Sequence, residues 1–182
     1  MKRVRRQRQV KQSGIPMMGT ISMVVRDAKT RRVRRRLTIR NKITFLAADV
    51  LVELIAQRTT DPAPAQDLVY SLRVGTSNTA ASRSDTNLGS FVFGTALVDV
   101  NKITGGPGEL SFVATLESGD ANGVTLSEAG LFTAGASPSV SNTPGINPGD
   151  TRMIARQVYP GIPKTSAITI DYSWTISFTA VP

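Results

Sequence analysis

The sequence predicts a mainly β chain, an antiparallel β-sandwich or barrel-like domain with one amphipathic helix and a basic N-terminal arm. Three observations predict it. From residue 67 onward, short apolar or alternating runs recur between Gly-, Pro-, Asn- and Asp-rich turns. The last run, residues 167–179, puts Ile168, Ile170, Tyr172, Trp174, Ile176 and Phe178 on one parity and polar residues on most of the other. That is the pattern of a half-buried antiparallel strand, and it assigns Trp174 to the core. The third observation is segregated charge. Residues 1–42 hold 15 Lys/Arg and one acid, a balance of +14, whereas residues 43–182 hold 7 bases and 12 acids, a balance of −5.

The 182 residues suffice for one domain with an arm. The reading divides them into an arm over 1–18 and a single β-rich domain over 19–182. Within that domain a basic ribbon covers 19–40, a helix 44–58 and the sandwich 67–180. Residues 1–14 contribute Lys2, Arg3, Arg5, Arg6, Arg8 and Lys11 with little to bury, which marks an interaction tail for a polyanion or an acidic surface. No apolar run follows it, so no secretory signal is expected, and no stretch is long and apolar enough to span a membrane.

Residues 20–26 are rich in β-branched side chains and read as a strand, residues 27–30 as a turn, and residues 31–40 as the return strand. Arg31, Arg32, Arg34, Arg35 and Arg36 crowd that return. Such a ribbon suits phosphate or an acidic protein, and equally suits an edge blunted against aggregation. No aromatic residue interleaves the arginines, so base stacking is not expected. Residues 45–58 place Leu46, Val50 and Leu54 with Ala47, Leu51 and Ile55 on one stripe at helical spacing, while Asp49 and Glu53 mark the solvent side.

Strands are expected over 68–74, 88–93, 95–103, 109–116, 124–132, 151–159 and 167–179, with a corner at 160–164 and a long loop at 135–149. Within 124–132, Glu128 and Gly130 stand out. A carboxylate among apolar neighbours requires hydrogen bonds or a cation. A glycine in a strand marks a bulge or a close backbone approach. Gly130 is expected to bend the strand before Leu131 and Phe132 enter the core.

Cysteine and histidine are both absent. This removes thiolate chemistry, histidine-based triads and the usual zinc ligands. A carboxylate pair drawn from Asp99, Glu109, Glu117, Asp120 and Glu128 is the remaining catalytic option, and all but Glu128 read as ordinary turn or face residues. The expectation is a non-enzymatic protein without cofactor or metal.

The order of short motifs carries a resemblance. Val74-Gly75-Thr76 is followed by Asp85-Thr86-Asn87-Leu88, Glu128-Ala129-Gly130-Leu131-Phe132, Met153-Ile154-Ala155-Arg156, Pro163-Lys164-Thr165 and a last strand containing Trp174. This series resembles tailed-phage virion proteins described as tail-fibre or structural proteins. More distantly, it is similar to the N-terminal domain of tail-collar fibre proteins, with their V-G-x-G, L-x-x-E, E-x-G-L-F and K-P progression. The resemblance spans residues 19–180, and the arrangement it implies brings the later strand with Arg156 near Glu128, so Arg156 is the first candidate partner for that carboxylate and Arg73 the second. It implies a structural component of the virion, in the tail, collar, fibre base or head surface, whose partners are other virion proteins and copies of itself. The alternative is a nucleic-acid-binding packaging or capsid-associated protein acting through residues 2–42.

Overall fold

The computed structural model describes residues 17–47, 69–103, 108–133 and 152–178. They form nine antiparallel strands: β1 (Met17–Asp27), β2 (Val33–Ile43), β3 (Val69–Gly75), β4 (Phe91–Ala96), β5 (Asp99–Ile103), β6 (Glu109–Leu116), β7 (Val124–Thr133), β8 (Met153–Lys164) and β9 (Ile168–Phe178). Their order in the sheet is β4-β3-β7-β8-β2-β1-β9-β6-β5. β4 and β5 stand at opposite ends of that order, yet only Leu97 and Val98 separate them in sequence. The sheet therefore curls until its ends approach, giving a half-barrel. On the way, the Val98 amide donates to the Val113 carbonyl at 2.7 Å.

The period-2 patterns set which side chains meet inside the curl. Ile21, Trp174 and Phe112 lie on one cross-strand row, and Met23, Tyr172 and Ala114 on the next. Small Ala114 beside large Tyr172 keeps that row filled without overpacking. Leu72, Val74, Leu126, Ala129, Leu131, Ile154, Tyr159 and Ile162 belong to the same buried cluster, contributed by the other half of the sheet. Trp174 is fully buried there, as its strand pattern requires.

The structure shifts several boundaries. β1 begins at Met17, inside the stretch assigned to the arm. β2 begins at Val33, because Arg31 sits in the turn with φ of 59°. Leu88 precedes the strand expected at 88–93, which starts at Phe91. The strand expected over 95–103 is two strands, since the chain leaves one end of the sheet at Ala96 and joins the other at Asp99. The expected corner at 160–164 is the second half of β8. β8 pairs with β2 only at Ala155 and Arg156, so its later edge faces no ladder on that side and Pro160 and Pro163 cost it no hydrogen bond there. Phe45, Leu46 and Ala47 are helical; residues 48–58 of the expected helix, the loop 135–149, and Lys2, Arg3, Arg5, Arg6, Arg8 and Lys11 lie outside the described residues.

Candidate functional site

The site begins as a row across four neighbouring strands. Gly94, Arg73, Gly130 and Arg156 are successive cross-strand partners on β4, β3, β7 and β8. Gly94 lies against the Arg73 side chain, where a Cβ would fall 3.4 Å from Arg73 Cγ. A Cβ on Gly130 would lie 3.0 Å from the Phe132 ring, 3.1 Å from the Ala155 carbonyl and 3.1 Å from Leu88. Gly130 therefore permits close packing. β7 runs through it, with register shifts between Leu126 and Glu128 and between Leu131 and Phe132. Leu131 enters the main core as expected, whereas Phe132 forms a separate buried cluster with Leu88 and Met153.

Residues 76–90 supply the donors that satisfy Glu128. That carboxylate is fully buried, and five donors reach it. The Ser77 and Ser90 amides donate to Oε1 at 3.2 and 2.7 Å. The Gly89 amide and the Nε and Nη2 of Arg156 donate to Oε2 at 3.0, 3.0 and 2.8 Å. Gly75 makes this approach feasible, since a Cβ there would sit 2.2 Å from the Ser90 carbonyl and 2.5 Å from Glu128 Oε1. The Thr76 amide donates to the Ser90 carbonyl at 2.9 Å and Ser127 Oγ to the Ser77 carbonyl at 3.1 Å, closing the base of the loop.

Arg156, only 3% exposed, completes the network. Its Nη1 donates to Asp85 Oδ2 at 2.7 Å and its Nη2 to the Thr79 carbonyl at 3.1 Å. Burial works against its charge, but Asp85 and Glu128 outweigh that and hold its pKa above the ordinary arginine value. Asp85 also accepts from the Ser82 amide at 2.8 Å. Asp85 is the residue that sequence reasoning left unassigned, because an acid in a polar loop looks solvated until the loop folds back over β8.

Arg73 does not pair with Glu128, because the register sets it opposite Gly130 rather than Glu128. It is 3% exposed, its guanidinium lies 4.3 Å from the Phe132 ring centroid and 6.0 Å from that of Phe91, and burial lowers its pKa. Its Nε and Nη2 have no hydrogen-bond partner among the described residues.

Beneath the site, Tyr159 Oη donates to the Glu128 carbonyl at 3.2 Å and lies 3.1 Å from Tyr172 Oη. This chain links β7 and β8 to β9 across the core. Burial raises the pKa of both tyrosines, that of Tyr159 strongly. Lys164, which the motif Pro163-Lys164-Thr165 contains, is buried and donates from Nζ to Asn122 Oδ1 and the Thr165 carbonyl, both at 3.2 Å. It thereby ties β8 to the turn before β7.

The arginines of the hairpin are elsewhere and exposed. Arg34 pairs with Asp27, whose carboxyl is held well below the usual range by the Thr30 amide and the Arg34 guanidinium. Arg31 reaches Thr169 Oγ1 at 3.4 Å and Arg35 the Gly161 carbonyl at 3.5 Å. Arg32 and Arg36 are exposed. The remaining acids are spread out: Asp99 accepts from Asn101, Glu109 from Ser177, and Asp120 from the Glu117 amide. Among the described residues no group of His, Cys, Asp or Glu has the arrangement to hold a metal ion.

Compared with family models, curated proteins and solved structures, the chain matches none of them. With both Glu128 carboxylate oxygens occupied by protein donors and four of the five Arg156 N–H groups given to protein acceptors, the pair is engaged by the fold itself. What the arrangement does chemically is fasten a 15-residue surface segment, residues 76–90, to the sheet.

Proposed function

We propose that the chain is a non-enzymatic structural component of a tailed-phage virion, assembling through its sheet surfaces and its basic N-terminal arm with other virion proteins and with copies of itself. The observation that carries the reading is the saturation of Glu128. The motifs that resemble those of phage virion proteins end as internal braces: Glu128 and Arg156 hold the loop, Gly130 admits Leu88 and Phe132, and Lys164 anchors a turn. The motif order therefore describes a scaffold rather than a reaction centre.

What such a scaffold offers neighbours is its sheet ends. β5 is paired only with β6 among the described residues, and Val98 and Val100 at that end are 71% and 48% exposed. An unpaired strand edge with exposed valines is a template for another chain. Light scattering on the full chain in 0.5 M salt tests this. The reading expects a defined oligomer that survives the salt and that Val98→Lys with Val100→Lys dissociates. A salt-resistant monomer in the wild type contradicts it.

A further inference from the structure

A second feature lies apart from Glu128. A pocket of about 380 Å³ opens where β1 begins and β2 ends, and Arg40, Lys42 and Arg83 line it together with Met17, Asn41 and Ser177. No Asp or Glu lines it. All three cations are exposed, and none makes an ion pair or side-chain hydrogen bond among the described residues. Their positions are nonetheless fixed by backbone. Arg40 and Lys42 occupy one face of β2, about 7 Å apart along the strand. Arg83 comes from the loop that Glu128 fastens, and its carbonyl accepts from the Phe45 amide at 2.9 Å. Three like charges converging on a concavity repel one another, and a bound anion would relieve that repulsion.

We propose that this pocket binds phosphate, in the form of a nucleic-acid backbone group. One feature favours that ligand over an acidic peptide. Arg36 lies on the same β2 face as Arg40 and Lys42, which sets cations along one line and suits a polymer of regular negative charge. Two of the three pocket cations are arginines, whose forked donors match phosphate oxygens. No aromatic residue lines the pocket, so the contact is independent of base sequence. The inference does not depend on the virion reading.

The experiment compares the full chain with a variant carrying Arg40→Gln, Lys42→Gln and Arg83→Gln, its fold checked by Trp174 fluorescence. Anisotropy titrations use a mixed-sequence single-stranded oligonucleotide, inorganic phosphate as competitor, and a Glu-rich peptide of matched charge. The variant is expected to bind the oligonucleotide on the order of tenfold more weakly at 0.1 M salt, with a plot of log affinity against log salt shallower by about 2 units. Displacement of the oligonucleotide by millimolar inorganic phosphate at constant ionic strength would overturn the nucleic-acid assignment in favour of free phosphate. Equal salt slopes for the two proteins overturn the proposal. Displacement of the oligonucleotide by the peptide at equal concentration overturns it in favour of an acidic protein partner.

Discussion

Glu128 is a charge removed from water, and its five donors are what make that burial tolerable. Glu128→Ala leaves the Arg156 guanidinium buried with Asp85 alone and strands three backbone amides. The expected cost is about 3–5 kcal/mol in a urea titration. That is a large share of the ~5–15 kcal/mol typical of a domain. Unchanged stability would show that the pair does not brace the fold. Tyr159 and Tyr172 make a pH prediction. Their folded pKa values are raised by burial, so their contribution is complete below the unfolded tyrosine value near 10. Above that pH the unfolded chain releases protons that the native chain retains, and stability falls. Urea midpoints should drop above about pH 10 in the wild type, and less steeply in Tyr159→Phe with Tyr172→Phe. Identical alkaline profiles would remove the tyrosines from the account.

At the scale of elements, β7 and the segment 76–90 behave as one unit. Gly130→Ala pushes a methyl group against the Ala155 carbonyl, which is backbone and yields little. The expected loss is about 1–3 kcal/mol, with faster amide exchange at Ser77, Gly89 and Ser90. Exchange unchanged at those amides would mean that Gly130 is not what lets the loop close. β9 was legible in the sequence because one parity carries six apolar residues, three of them aromatic, without interruption. A cation beside Glu128 was legible because a buried acid demands one, and the resemblance singled out Arg156. The split between β4 and β5 was not, since Leu97 and Val98 are neither turn formers nor breakers; the chain changes sheet ends there for reasons of closure. Pro160 and Pro163 misled in the opposite direction. They read as a corner, but an edge with no ladder on one side accommodates them within β8. Gly130 was legible as a point of close approach, whereas the irregularity that follows it, between Leu131 and Phe132, was not, because strand register depends on partners far away in the chain.

For the molecule as a whole, the basic residues and the braced loop are separate devices. The Glu128 network faces inward, whereas the hairpin arginines and the pocket cations face solvent. On this account the body provides a rigid curled sheet and the N-terminal residues provide attachment. The central claim is that the chain resides in a phage particle. Mass spectrometry of gradient-purified particles tests it most directly. The account predicts peptides of this chain in the particle at a stoichiometry comparable with other structural proteins, and a marked fall in incorporation when residues 1–14 are deleted from an otherwise folded chain. Particles that lack the chain, with its peptides confined to the soluble fraction of infected cells, would contradict it.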